Sequence, residues 1–190
     1  MAYKSLSFKL IGASPLLCHN GQLADPMNEM ARRMKKVSGK KDKTDADFEE
    51  LARLEWYGGL YLDGGKPCLP GELIEATLVN AAKKQKRGKQ AQAGLLCPSN
   101  YLLEYDGPSD LEALWELPDF RLTCGVRVQR NRVQRTRPRF LPWAITIEVQ
   151  YDPLMLNEND VRGIVQRAGS DIGFGDWRPK FGRFTVQSVD

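Results

Sequence analysis

The sequence predicts an α+β fold in the order β-α-β-β-α-β, and three observations predict it. Strict apolar–polar alternation marks strands at the start of the chain, after residue 120 and again near the end. Two amphipathic stretches of helical period, opening at Glu72 and at Asn157, lie between them. Glycine, proline and asparagine punctuate the joins. A length of 190 residues suits a single domain, 1–190, with a sizeable insertion.

Tyr3 to Leu10 sets Leu6, Phe8 and Leu10 on one side and Ser5, Ser7 and Lys9 on the other, the period of a half-buried first strand. Gly12-Ala-Ser-Pro15 breaks it, and residues 12–68 read as the inserted subregion. Within that, Pro26 to Lys36 predicts a helix carrying Met27, Met30 and Met34, and Ser38 to Lys43 a solvated basic loop. Thr44-x-x-Asp47 resembles a capping box opening a second helix with Phe48, Leu51, Ala52 and Trp56 on its inner face, ended by Gly58-Gly59.

Leu69-Pro70-Gly71 leads into a helix from Glu72 to Arg87, with Ile74, Leu78, Ala81, Ala82 and Gln85 on one stripe and Gly88 as its C-terminal cap. Residues 94–120 are short apolar pieces interrupted by Pro98, Pro108 and Pro118. Leu122, Cys124, Val126 and Val128 then alternate with polar residues, as do Trp143, Ile145, Ile147, Val149 and Tyr151. These two strands predict one long hairpin whose arginine-rich tip, 127–141, projects as an arm. Asn157 with Asp160 caps a helix bearing Val161, Ile164, Val165 and Ala168 and ending at Gly169. A last strand holds Phe184 and Val186 on one face. The order is that of the ferredoxin-like plan, a modified RRM arrangement with two helices over one face of a four-stranded antiparallel sheet.

Hydrophobic content of 42% and charged content of 27% are those of a soluble globular protein. No apolar run reaches the length of a membrane helix, and MAYKSLSFKL alternates instead of forming a signal-peptide core, so a cytoplasmic protein without membrane association is expected. Cys18, Cys68, Cys97 and Cys124 are scattered, with one histidine in the chain, which argues for reduced thiols and against a metal set.

The charge is unevenly spread. Residues 31–43, 83–89 and 127–139 hold 18 of the 28 basic residues and one of the 24 acidic ones, leaving an acidic remainder. Short positive segments on an acidic body point to a polyanion held at defined patches. Arg127, Arg130, Arg132, Arg135, Arg137 and Arg139 crowd the arm with no acid among them; they repel one another unless an anion neutralises them, and arginine also stacks on bases. Lys83, Lys84 and Arg87 are further candidate contacts, although cations also complement a helix C-terminus.

The run from Asp171 to Phe184 combines Gly173, Gly175 and Gly182 with Trp177, Arg178, Lys180 and Arg183, the flat rings and cationic donors that single-stranded nucleic acid takes in stacking and phosphate contact. The alternative is a glycine-rich turn feeding the last strand.

Leu69-Pro70-Gly71 before the first core helix, together with Gly173-x-Gly175 and Gly182-x-Phe184 before the last strand, resembles the RAMP superfamily of CRISPR-associated RNA-binding proteins. Their glycine-rich loop has the form G-x-G-x5-G-x-G; here the interval is one residue longer and Phe184 replaces the last glycine. Among the branches the chain is most similar to backbone subunits of effector complexes, which carry an insertion after the first strand and a hairpin thumb. The resemblance implies a ferredoxin-like fold, RNA along the glycine-rich loop, assembly with further copies along the strand, and a reduced relative encoded alone or on a mobile element.

His19, after Pro15-Leu-Leu-Cys18, is the candidate general acid or base should the chain be a metal-independent endoribonuclease; a turn residue or a nucleic-acid contact are the other readings. Gly59 to Pro67 lacks the Ser/Thr of a phosphate-binding loop, and no helix follows Gly173-x-Gly175 as a dinucleotide fingerprint needs. Asp171 and Asp176 stand beside arginines and read as structural, not as magnesium ligands. The expectation is a non-catalytic protein for single-stranded nucleic acid, RNA ahead of DNA, oligomeric along the strand, with no cofactor and no metal. The alternatives are the endoribonuclease and an interaction protein that imitates or inhibits a CRISPR backbone subunit.

Overall fold

The computed structural model describes residues 2–128 and 131–188. Among these are five longer strands, β1 (Lys4–Gly12), β2 (Arg121–Val128), β3 (Asn131–Phe140), β4 (Trp143–Tyr151) and β5 (Phe184–Ser188). The α-helices are α1 (Glu29–Ser38), α2 (Asp45–Gly59), α3 (Gly71–Lys84), α4 (Gly88–Gly94), α5 (Leu111–Glu116) and α6 (Glu158–Arg167), with shorter strands between. The fold is mixed α and antiparallel β. Two compact units form: Met1–Leu17 with Leu62–Asp106 and Leu141–Asp190, and Cys18–Tyr61 with Gly107–Phe140.

In the first unit the sheet runs β5-β1-β4 and then the short strand Leu95–Leu96. β1 pairs β4 over eight residues, Leu6 opposite Val149, Phe8 opposite Ile147 and Leu10 opposite Ile145. Directly opposed residues share a face, so these apolar pairs make one continuous core surface, with Phe8, Leu10, Ile145, Ile147 and Val149 buried. α3 buries Ile74, Leu78, Ala81 and Ala82. α6 buries Val161, Ile164 and Val165 and is started by the Asn157–Asp160 capping box. The two helices touch each other, and α6 also touches β5.

In the second unit α1 packs on α2, and α2 on β3. Asn28 caps α1 by accepting from the Met30 and Ala31 amides, and Thr44 with Asp47 forms the expected capping box of α2. Trp56 is fully buried; its indole N–H donates to the Phe120 carbonyl at 2.8 Å and its ring meets Trp115 edge-on at 5.7 Å.

Three sequence expectations are corrected. The long hairpin is not made by residues 122–128 with 143–151. The arginine-rich stretch is itself a strand, β3, paired with β2 from Arg121 opposite Pro138 to Val128 opposite Asn131. Val133 meets Val126, and the Thr123 and Thr136 hydroxyls hydrogen-bond at 2.9 Å, so the stretch carries its own cross-strand pairs. β4 instead joins β1, whose apolar face matches its own.

The first core helix does not run to Gly88. α3 stops at Lys84, Lys86 takes a positive φ of 59°, the Arg87 amide returns to the Ala82 carbonyl at 3.0 Å, and Gly88 opens α4. Gly169 does not end α6 either: one wide turn, Ala168–Ile172, continues to Gly173 at φ 78°.

Candidate nucleic-acid interface

A groove of about 860 Å³ opens in the second unit among α1, α2 and the β2–β3 ribbon. Its polar rim includes Lys35, Lys41, Lys43, Arg132 and Arg135, and its apolar lining includes Met34, Phe48, Leu51, Ala52 and Val133. Two of the basic segments, 31–43 and 127–139, therefore meet at one surface although they are distant in the chain. α1 brings Lys35 as one of its last-turn cations. The loop that follows is tied down by Lys40, whose ammonium donates to Asp47 Oδ1 at 2.5 Å, and by Lys43, which donates to the Lys40 carbonyl at 2.7 Å. The Lys40 hydrogen bond, with the Thr44 amide, holds the Asp47 carboxyl to about 2.

Glu55 is the acid of this groove, 5% exposed. One oxygen accepts from Arg135 Nη1 at 2.6 Å and the other from the Thr136 amide at 2.8 Å. Both oxygens are thus spent on β3, leaving the rim with a positive surplus. Phe48, expected on the inner face of α2, is 54% exposed and lines the groove, while Leu54, Glu55 and Trp56 take the buried face. Missing this was a matter of phase: the stripe that begins at Phe48 drifts around α2, and burial depends on where β3 lies.

The arm arginines fall into different classes. Arg127 and Arg132 are exposed and directly opposite each other across the ribbon, a like-charged pair on one face. Arg135 pairs with Glu55, and Arg139 reaches the Asp119 carbonyl at 2.8 Å and its carboxylate at 3.4 Å. Arg137 is buried at 8%. Arg130 lies outside the described residues. The premise that no acid accompanies the six is corrected: Glu55 and Asp119 approach from other elements, which spacing along the strand does not reveal.

In the first unit the glycine-rich loop lies against residues 13–17. The Asp176 amide donates to the Leu17 carbonyl at 2.8 Å, the Gly182 amide to Pro15 at 2.8 Å and the Ala13 amide to Arg183 at 2.7 Å. Gly175 and Gly182 have φ of 76° and 74°, and a Cβ on them would sit 2.1 Å from the Leu17 oxygen and 1.9 Å from the Phe174 oxygen. Backbone packed on backbone accounts for these glycines and for Gly173, where a Cβ would sit 2.7 Å from the Phe181 oxygen. Phe174 stacks on Phe184 at 4.6 Å and both approach Trp143, anchoring the loop to the sheet.

The loop presents Arg178, Lys180 and Arg183 exposed and Trp177 half-buried at φ 51°. With Asn80, Asp171, Asp176 and Pro179, Trp177 and Arg178 line a shallow depression of about 490 Å³. The second basic segment lies in this same unit, and two of its five cations meet acids: Lys84 pairs with Asp171 at 3.7 Å and Arg87 with Asp160 at 3.1 Å, while Lys83 donates to Asn80 Oδ1 at 3.1 Å. Asp171 is held below the ordinary carboxylate range by the Ser170 hydroxyl and by the Lys84 and Arg167 charges.

His19 is exposed, and its carbonyl accepts from the Tyr61 hydroxyl at 2.9 Å. None of the four cysteines is in a disulfide, and burial pushes the Cys68 thiol to about 11 and the Cys97 thiol to about 12. Among the described residues no cluster of His, Cys, Asp or Glu is arranged to hold a metal, and no helix is long and apolar enough to cross a membrane. No protein-family model and no curated protein matches the chain.

Proposed function

We propose that this chain is a non-catalytic binding protein for single-stranded nucleic acid, RNA ahead of DNA, and that the groove of the second unit grips the strand. The observation that carries the reading is the convergence of segments 31–43 and 127–139 on one groove around Phe48. Cations spaced about an exposed ring supply phosphate contact and stacking together.

The ferredoxin-like plan is the proposed description of the first unit. Its support is the strand order β5-β1-β4-(Leu95–Leu96) with α3 and α6 as the connecting helices. With the resemblance to RAMP proteins, this favours a cytoplasmic subunit that repeats along a strand, with Arg178, Lys180 and Arg183 as a second contact. Gel shifts with single-stranded RNA, single-stranded DNA and duplex at two salt concentrations test the reading. Binding ranked RNA, then DNA, then duplex, and weakened at least tenfold by Lys41→Glu with Arg132→Glu, is the expected result; no binding, or binding unaffected by the double substitution, overturns it.

A further inference from the structure

We infer that the groove takes an unpaired base of the strand onto the ring of Phe48, with the phosphates on either side of that base held by the rim cations. The inference rests on the nucleic-acid reading of the same groove. Phe48 lies in the first turns of α2, 54% exposed, in a groove whose other apolar lining is Met34, Leu51, Ala52 and Val133. A ring left this open on a short, capped helix start has an unfilled face, and the flat apolar object that also brings negative charge to Lys41, Lys43 and Arg132 is a nucleotide.

Apart from the rim cations and Gln134, the polar side chains of the lining are already engaged. The Thr123 and Thr136 hydroxyls bond each other, and Glu55 is taken up by Arg135 and the Thr136 amide. Few groups remain to read the edge of a base, so recognition depends on stacking and tolerates sequence, with purines ahead of pyrimidines by ring area. A duplex keeps its base faces inside the stack and cannot offer one to Phe48.

The test measures affinity at low salt for an adenine RNA of about twelve nucleotides and for an abasic strand of the same length and charge, with the unaltered protein, Phe48→Ala and Phe48→Trp. Phe48 is exposed, so neither substitution disturbs a packed core. The unaltered protein is expected to prefer the base-bearing strand by about tenfold, equivalent to about 1.4 kcal/mol. Phe48→Ala is expected to abolish that preference, and Phe48→Trp to keep it. Equal binding of both strands by the unaltered protein, or a preference that survives Phe48→Ala, overturns base stacking on Phe48 while leaving the groove as a phosphate grip. Failure of the unaltered protein to bind either strand removes both readings.

Discussion

Glu55 decides what the arginines of β3 can do. By accepting from Arg135 and from the Thr136 amide it holds one guanidinium at the groove edge and seals a buried backbone donor. Glu55→Ala strands that donor, and leaving a buried polar group unsatisfied costs about 1–3 kcal/mol; urea unfolding should show a loss of about 2 kcal/mol. Asp47 acts locally in the same unit. Its carboxyl is held to about 2 against an ordinary 3.8, chiefly by the Lys40 hydrogen bond. Because the folded value lies below the unfolded one, this contribution is complete above the ordinary value and is lost as pH falls through about 2. Carboxyl chemical shifts followed from pH 5 to 1 should place the Asp47 midpoint near 2, and Asp47→Asn should lower the melting temperature at pH 6 but not at the acid end. The local part of this was legible: Thr44-x-x-Asp47 announces its own cap. The acid partners of Arg135 and Arg139 were not, because Glu55 and Asp119 arrive through the fold.

At the level of elements, the loop from Gly173 to Gly182 is built as a backbone-to-backbone seam with residues 13–17. Gly182→Ala would force a side chain into positive φ and a Cβ into the Phe174 carbonyl. A loss of about 2–4 kcal/mol in unfolding free energy is expected, whereas Gly125→Ala, where a Cβ meets nothing within 4 Å, should stay within about 0.5 kcal/mol. The glycines were conspicuous in the sequence, but only the structure separates those that pack from the cations that face outward. The helices capped by Thr44 and Asn157 and the alternating strands at both ends could be read directly, since their signals lie within a few residues. The pairing of β3 could not: alternating arginine, valine and threonine fits an extended loop as well as a strand, and the choice is made by Val126, Thr123 and the apolar match between β1 and β4.

For the molecule as a whole, charge placement matters more than net charge. A formal +4 says little about a partner; the meeting of two basic segments at one groove, with its acid already engaged, says a great deal. The second segment, 83–89, has Lys84 and Arg87 in ion pairs to Asp171 and Asp160 and belongs to the other unit. If the four rim cations not taken up by Glu55 (Lys35, Lys41, Lys43 and Arg132) each meet a phosphate, the affinity for a single strand should fall with a slope of about −2.8 in log K against log salt, and Lys41→Glu with Arg132→Glu should flatten that slope. Adding single-stranded RNA should raise the melting temperature of the unaltered protein and raise that of the double variant by less at the same RNA concentration.

Ultraviolet crosslinking of single-stranded RNA to the protein, followed by peptide mapping, tests the shared groove most directly. Adducts are predicted together in the peptide containing Phe48 and in the β3 peptide from Arg132 to Arg135. Adducts confined to 83–89 and the 173–183 loop, with both groove peptides clean, would contradict the account.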